Sequence, residues 1–264
     1  MEDKRKKVQE WFDIPKPKFP VAALLIGVVL VVIGVGAAGN DQVGAGLAVL
    51  AVGALVIALP MVSYSGAKKK YEGRASVDQM LQWLKADFEG LKTASLNKLG
   101  LDPSELKGES IIVRGPLYWL QSGLNAEEIK KRRLVREDDT NSPYLYACWT
   151  YMVIHFAGQV MGTYRCAYNW YRNAAVAEQT EEFGYESVVS VKTETESSAY
   201  TLIDGVMEHS LKFILSLTSG EKIEVRLSAP TLKSASEEED RSLGDRAVQR
   251  IRTLKRDRAA AAGH

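Results

Sequence analysis

Two uncharged apolar runs, separated by only four residues, dominate the N-terminal quarter of the chain. They span residues 21–38 and 43–61. An α-helix needs about 20 residues to cross a hydrocarbon core about 30 Å thick. Both runs are apolar on every side, whereas a core helix of a soluble protein normally keeps a polar face. The sequence therefore predicts a transmembrane helical hairpin over residues 20–63.

The first run also has the pattern of a secretory signal peptide. Basic residues 4–7 precede it, and the small residues Ala37, Ala38 and Gly39 follow it. The second apolar run follows at once, so a chain cleaved after the first run would still be held in the membrane. We therefore favour the uncleaved hairpin.

The basic residues around the hairpin predict its orientation. They are Lys4, Arg5, Lys6, Lys7, Lys16 and Lys18 before it and Lys68, Lys69, Lys70 and Arg74 after it, whereas the turn has none. Lys and Arg are enriched on the cytoplasmic side of membrane segments. We expect both termini in the cytoplasm, at the inner (plasma) membrane. Trp11, Phe12 and Tyr64 stand where an interfacial aromatic belt is expected.

Small residues recur at helical spacing in both runs. They are Ala23, Gly27, Gly34 and Ala38 in the first and Gly46, Gly53, Ala54 and Ala58 in the second. Such residues let helix backbones approach closely. We favour packing of the hairpin on itself, and recruitment of further copies is the alternative. Neither run has an ionisable side chain, which argues against a proton relay or a charged ion path.

The overall composition excludes several classes of function. Lys and Arg (34) nearly balance Asp and Glu (33), so no overall field attracts nucleic acid. The two cysteines lack zinc-site spacing, and a cytoplasmic location disfavours a disulfide. No Gly-rich phosphate loop, nucleophile elbow or His-Glu-x-x-His motif occurs. His155 and His209 lie in strand patterns, where histidines are ordinarily structural. We expect no enzymatic activity, cofactor or metal.

Residues 64–100 connect the hairpin to a soluble domain. They contain a basic segment, which ends the second membrane run, and an amphipathic linker helix. The helix is predicted over residues 76–98, with Ser76 and Gln79 as its capping box and Gly100 as its end. A β-domain follows over residues 101–230, with a short helix from Asn125. Its predicted strands are 109–114, 144–156, 159–171, 174–185, 187–197, 208–218 and 221–228. A helix over residues 240–258 lies in the C-terminal segment, 231–264, and a basic segment, 1–19, begins the chain.

A meander of about seven strands can remove its open edges by curling into a barrel that a terminal helix closes. Within this predicted meander, an aromatic and acidic strand is followed by a strand with the pattern Tyr-x-x-Val-Val-x-Val. Its residues are Glu178, Thr180, Glu181, Glu182, Phe183, Tyr185, Val188, Val189 and Val191. The pattern resembles bacterial membrane proteins with a pleckstrin-homology-like (PH-like) domain, over about residues 109–254. The resemblance implies an α+β membrane protein with a PH-like antiparallel β-barrel or sandwich and a C-terminal helix.

The predicted hairpin over residues 144–171 is apolar on both faces. A strand that is buried on one side should alternate between apolar and polar residues. We therefore expect its second face to meet the amphipathic helix, another subunit or lipid. Its candidate interaction residues are Trp149, Tyr151, Val153, Trp170 and Tyr171. A three-residue turn centred on Ala157 would place Cys148 opposite Cys166.

The densest basic cluster of the soluble part is a candidate lipid site. It consists of Lys130, Lys131, Arg132, Arg133 and Arg136. Near an anionic leaflet each such cation contributes about 1 kcal/mol. The alternative is a solvated helix end that Glu137, Asp138 and Asp139 neutralise.

We hypothesise that the chain is a non-enzymatic scaffold or interaction protein, in which a cytoplasm-facing PH-like domain mediates self-assembly or partner binding. Its expected partners are the lipid bilayer and either further copies or another membrane-complex protein, with no nucleic acid or small-molecule substrate. Two other functions fit the same pattern. One is a pore-forming, transporter or defence-system membrane subunit with a cytosolic sensor domain, and the other is a sensor of anionic lipid headgroups.

Overall fold

The chain forms two compact units. The computed structural model describes residues 2–39, 43–117, 134–136, 144–197, 200–202, 205–207, 209–228 and 234–262. One unit, the helical hairpin, is Asp13–Arg74. The other, the β-domain, combines Met1–Phe12 with Ala75–His264. The basic N-terminal segment is therefore not a separate region, because its first twelve residues belong to the β-domain.

The helical hairpin consists of α2 (Val21–Ala38) and α3 (Val43–Glu72). Both helices are long and apolar enough to cross a membrane. α3 continues beyond the predicted span because Lys68, Lys69 and Lys70 are good helix formers. At the open end of the hairpin, the rings of Phe19 and Tyr64 meet edge to face, with their centroids 5.2 Å apart.

Glycines form the contact between α2 and α3. Gly27, Gly34, Gly46 and Gly53 are the buried residues of these two helices. A Cβ atom at Gly34 would lie 2.8 Å from Cγ of Leu50 and 3.0 Å from the carbonyl oxygen of Gly46. The two pairs are each seven residues apart, about two helical turns, so they lie on one face of their helix.

The predicted packing residues of the hairpin differ in how far they are buried in this contact. A Cβ atom at Gly46 would lie 2.5 Å from the amide nitrogen of Ala38 and 2.7 Å from its Cβ, whereas Ala23 is only half-buried. Ala54 and Ala58 are exposed, which corrects their predicted role in packing the hairpin on itself. At about 100° per residue, Ala54 points a quarter-turn away from Gly53, and Ala58 points still further away.

Three helices and two principal sheets build the β-domain. The helices are α1 (Glu2–Asp13), α4 (Val77–Leu99) and α5 (Glu237–Ala262). The capping prediction for α4 is confirmed, because the Ser76 hydroxyl accepts a hydrogen bond from the Gln79 amide at 3.2 Å. Gly100, at φ +67°, adopts the left-handed conformation that ends the helix.

One principal sheet has four antiparallel strands and the other has three. The first has the order β1 (Ile111–Pro116), β4 (Cys148–Ala157), β5 (Val160–Asn169) and β6 (Ala174–Gly184). The second has the order β11 (Lys222–Ser228), β10 (Ser210–Leu217) and β7 (Val188–Glu196). Short pairs are formed by β2 (Leu134–Arg136) with β3 (Tyr144–Tyr146) and by β8 (Tyr200–Leu202) with β9 (Gly205–Met207). Among the described strands no ladder joins the principal sheets, so they do not close the predicted barrel.

β4 is buried on both faces and separates two hydrophobic layers. Met152, Ile154 and Phe156 face the layer that contains the three-stranded sheet and α5. Tyr151 and Val153 face the layer that contains α4 and α1. The apolar pattern on both faces follows from this position between two layers.

The turn between β4 and β5 consists of Gly158 and Gln159, and it corrects the proposed cysteine register. Cys166 pairs with Tyr151, whereas Cys148 pairs with Asn169. Side chains that face each other across strands share a face, so the two thiols lie on opposite faces of the sheet. Both cysteines are free and buried.

α1 is held on the β-domain by apolar packing and by one carboxylate. Val8, Trp11 and Phe12 are buried in the layer with α4, which corrects the prediction that the two aromatic residues belong to a membrane-interface belt. The Asp87 carboxylate of α4 lies 2.6 Å from Nζ of Lys4 and accepts a hydrogen bond from Nε1 of Trp170 at 2.9 Å. Arg5 lies near the same carboxylate at 3.6 Å.

The substitution Gly34→Leu tests the glycine contact. Overpacking a close contact costs about 1–3 kcal/mol, so we expect the unfolding free energy of the hairpin in detergent micelles to fall by this amount. Gly36→Leu is the control, because a Cβ atom there meets nothing within 4 Å. The same loss in both variants would contradict the contact.

The substitution Asp87→Asn tests the attachment of α1. It removes the negative charge that pairs with Lys4 and Arg5 and that accepts the hydrogen bond from Trp170. We therefore expect the free energy of unfolding to fall by about 1–3 kcal/mol, and amide hydrogen exchange in residues 2–13 to become faster. Glu10→Gln removes only the exposed pair with Lys6 and should cost under about 0.5 kcal/mol. Unchanged exchange in Asp87→Asn would show that the carboxylate does not hold α1.

Candidate functional site

The candidate interaction residues of the aromatic hairpin lie inside the β-domain. Trp149, Tyr151, Val153 and Trp170 have no exposed surface, and Tyr171 is 9% exposed. Phe88 of α4 stacks on Tyr151 with ring centroids 5.3 Å apart. The Tyr151 hydroxyl donates a hydrogen bond to the Phe88 carbonyl at 3.0 Å. The amphipathic helix, together with α1, covers this face, which corrects its assignment as an external interaction surface.

Most of the candidate lipid cluster lies outside the residues that the structure describes. Lys130, Lys131, Arg132 and Arg133 lie outside the described residues, as does the predicted helix from Asn125. The backbone of Arg136 pairs with Tyr144 between β2 and β3. The lipid site therefore stays a sequence prediction.

A cleft of about 540 Å³ lies between α4, β1 and α5, and we call it the basic cleft. It is lined by Lys85, Glu89 and Lys92 from α4, by Glu109, Ser110, Ile111, Ile112 and Arg114 at β1, and by Glu239, Leu243, Arg246 and Arg250 from α5. Five of these side chains are basic and three are acidic. The elements meet because the start of α5 packs beside β1, whose other neighbour is β4.

A buried ion pair forms one wall of the basic cleft. Arg114 is 3% exposed, and its Nε donates a hydrogen bond to Oδ1 of Asp240 at 2.7 Å. Its Nη2 lies 2.9 Å from Oε2 of Glu239, and its guanidinium carbon lies 4.7 Å from the Phe88 ring centroid. Burial raises the pKa of Asp240 to about 6, although Arg114 and the Ser236 hydroxyl oppose this rise. Loss of the Arg114 charge would leave the Asp240 carboxylate buried without its cation, whereas loss of the Asp240 charge would leave Arg114 paired with Glu239 alone.

A hydrogen-bonded chain of three side chains runs behind the cleft. Ser95 Oγ lies 2.7 Å from the Lys92 carbonyl and 2.7 Å from Nε2 of His155, and Ser110 Oγ lies 2.6 Å from Nδ1. Because Ser95 donates its proton to the carbonyl, it accepts from Nε2. Nδ1 is then the acceptor, and Ser110 donates to it. Burial first and the Lys92 charge second lower the pKa of His155 to about 4, so the ring is neutral at physiological pH.

The charges at the rim of the basic cleft are only partly compensated. Lys85 lies 3.6 Å from Glu239, which also contacts Arg114, and Lys92 pairs with Glu89. Arg250 donates a hydrogen bond to the neutral carbonyl of Lys107 at 2.9 Å. Arg246 is exposed and has no ion-pair partner among the described residues. The rim thus keeps positive charge that is available to an anionic group.

The sequence alone does not predict this site, for a definite reason. Arg114 and Asp240 are 126 positions apart, so no local motif connects them. His155 was predicted to be structural, and the structure satisfies both of its ring nitrogens. For α1 a signal existed, since Val8, Trp11 and Phe12 have the i, i+3, i+4 spacing of a buried helix face.

Comparison with known proteins gives no further assignment. No protein-family model, curated protein or solved structure is significantly similar to the chain. Among the described residues, no group of three or more His, Cys, Asp or Glu side chains is placed to hold a metal ion. The residues of the basic cleft can therefore be interpreted only through their own chemistry, which is the ion pairing of basic side chains.

The pH dependence of stability tests the neutral state of His155. Its folded pKa, about 4, lies below its unfolded value, near 6.5, so the unfolded chain binds more protons between these pH values. Stability from this group is present above pH 6.5 and is lost as the pH falls toward 4, by at most about 3 kcal/mol.

The variant His155→Gln should lack this loss, which is measured as the difference between the two unfolding free energies from pH 7 to pH 4. The opposite contribution of Asp240 is common to both proteins and cancels in the difference. A pH-independent difference would contradict the assigned protonation state.

Proposed function

We propose that this chain is a non-enzymatic interaction protein of the inner membrane. The helical hairpin anchors it, and a cytoplasm-facing PH-like β-domain binds an anionic segment of a partner or of another copy in the basic cleft. The observation that carries the proposal is the cleft itself, in which five basic side chains face three acidic ones, Asp240 neutralises Arg114, and Arg246 has no ion-pair partner among the described residues. An acidic segment would complete this charge pattern.

The packing of the helical hairpin supports an anchor in preference to a pore. The close-packing glycines face the partner helix within the same chain, so this small-residue surface is already used. The outward surface carries large aliphatic side chains, such as Leu25, Val32 and Leu59, that are 60–68% exposed. Hydrocarbon is the natural environment of such a surface.

The discontinuous β-domain supports the predicted topology. Its chain leaves at Phe12 and returns at Ala75, and the helical hairpin lies between these points. Two membrane spans therefore begin and end on the side where the β-domain folds. The basic flanks of both helices favour the cytoplasm as that side.

Two features support the PH-like fold. A four-stranded and a three-stranded antiparallel sheet follow one another along the chain, and a helix comes after them. α5 packs on β1 of one sheet and on β7 and β11 of the other. This helix buries Ala247, Val248 and Ile251 in the layer between the sheets.

Crosslinking of the full chain in native membranes tests the proposed function. A photoreactive residue in place of Leu243, in the cleft, should yield a discrete adduct with a partner or with a second copy. Arg246→Glu adds repulsion toward an anionic segment, so we expect the yield to fall on the order of tenfold, which corresponds to about 1.4 kcal/mol.

Lys222→Glu is the matched control, because it makes the same charge change at an exposed position outside the cleft. Its adduct should form at the wild-type yield. A strictly monomeric chain with no adduct, or an adduct that Arg246→Glu leaves unchanged, would contradict the proposal.

A further inference from the structure

A second basic groove lies on the opposite end of α5. It has a volume of about 640 Å³ and runs between the C-terminal half of α5 and β7, with Arg252, Lys255, Arg256 and Val189 among its lining residues. We call it the α5–β7 groove. The lining contains three basic side chains and no acidic one. The neighbouring acids of the helix, Asp245 and Asp257, are not part of it.

The positive charges of the α5–β7 groove are not neutralised by carboxylates, because the described hydrogen bonds of its basic side chains are with uncharged oxygen atoms. Arg252 donates to the Val191 carbonyl at 3.1 Å, and Lys255 donates to the Val188 carbonyl. These two bonds cover the backbone of β7, which is an edge strand of the three-stranded sheet. Arg256 is exposed, and among the described residues its one hydrogen-bond partner is the hydroxyl of Thr253, at 3.5 Å. Protection of the strand edge therefore explains why Arg252 and Lys255 lie in the groove, but it does not explain the presence of Arg256.

An exposed aliphatic side chain lies among these cations. Val189 is 61% exposed, and every other large hydrophobic side chain described as exposed lies between residues 19 and 62, in the helical hairpin. In the described part of the β-domain, Val189 is thus the one exposed large aliphatic group. Its position beside three uncompensated cations matches the two components of an anionic bilayer surface, phosphate-bearing headgroups above hydrocarbon.

We propose that the α5–β7 groove docks the β-domain on an anionic lipid surface. Arg252, Lys255 and Arg256 contact headgroup phosphates, and Val189 enters the outer edge of the hydrocarbon. The helical hairpin ties the β-domain covalently to the bilayer at both of its ends, which raises the local concentration of lipid headgroups. A soluble phosphate would satisfy the cations but would leave Val189 exposed to water, so the bilayer is the occupant that accounts for both features.

Spin labelling of the full chain in nanodiscs tests this docking. The substitution Val189→Cys provides the attachment site, and the buried native thiols stay unlabelled because burial raises the pKa of Cys166 to about 11 and leaves Cys148 only 2% exposed. In discs with anionic lipid, collisions of the label with oxygen should rise and those with a water-soluble nickel complex should fall, relative to purely zwitterionic discs. Three cations shift the docking equilibrium by about 100-fold.

Arg256→Glu is the variant of choice, because in the described part of the chain Arg256 bonds to Thr253 alone and its loss leaves the β7 edge covered by Arg252 and Lys255. We expect it to weaken docking by on the order of tenfold or more, as high salt should also do. Lys222→Glu is the matched control, because it reverses one exposed charge outside both the α5–β7 groove and the basic cleft, and docking should stay at the wild-type level.

Each outcome of this experiment decides the proposal. Equal accessibility in anionic and zwitterionic discs, or an anionic effect that survives Arg256→Glu, would overturn it. Loss of the anionic-disc effect on addition of glycerol phosphate at constant ionic strength, with the label accessible to the nickel complex again, would assign the groove to a free phosphate instead. Failure here leaves partner crosslinking in the basic cleft intact, because that test depends on Arg246 and not on Arg256.

Discussion

The attachment of α1 to the β-domain is the interaction on which the rest of the structure depends. Val8, Trp11 and Phe12 are buried against α4, and the Asp87 carboxylate binds Lys4 and Trp170 across the same contact. Because α1 precedes the helical hairpin in the chain and α4 follows it, this contact makes the hairpin an insertion within one folded domain. The helical hairpin is therefore joined to the β-domain by two chain connections.

The same contact explains why the aromatic strands are not an interaction surface. A two-layer domain would expose one face of β4 and β5, and their sequence is too apolar for exposure. α4 and α1 add a third layer, which buries Trp149, Tyr151 and Trp170 completely. Under the proposals made above, binding uses the charged surfaces at the two ends of α5. Arg246 belongs to one of these surfaces and Arg256 to the other.

Periodicity in the sequence predicted most of the elements. The two apolar runs, the amphipathic stripe of α4 and the alternating strands have strong local signals, and Ser76 and Gly100 mark the ends of α4. α1 was missed because its charged composition resembles a topogenic flank, although three apolar residues reveal a buried face. The separation of the strands into two sheets depends on contacts between distant segments, and no local pattern encodes those contacts.

The basic cleft was beyond prediction for the same reason. Arg114, Arg246 and Asp240 come from elements that meet only in the folded chain, and the compensation of each charge depends on distances that the sequence does not contain. By contrast, the densest basic cluster of the sequence begins at Lys130. For this cluster the sequence identifies no ion-pair partners other than the acidic residues that follow it. Local charge density therefore predicts one candidate lipid site, whereas the two basic surfaces proposed as binding sites are defined by tertiary structure.

Labelling of single cysteines with a membrane-impermeant thiol reagent in intact cells tests the central claim most directly. The claim is that the β-domain includes α1 and that both ends of the helical hairpin lie in the cytoplasm. Gly39→Cys, at the end of α2, should react from outside the cell. Asp3→Cys in α1 and Glu182→Cys in β6 should react only after permeabilisation. External labelling of Asp3→Cys but not of Glu182→Cys would place α1 and the rest of the β-domain on opposite sides of the membrane, and external labelling of both would invert the topology. Either result would contradict the account.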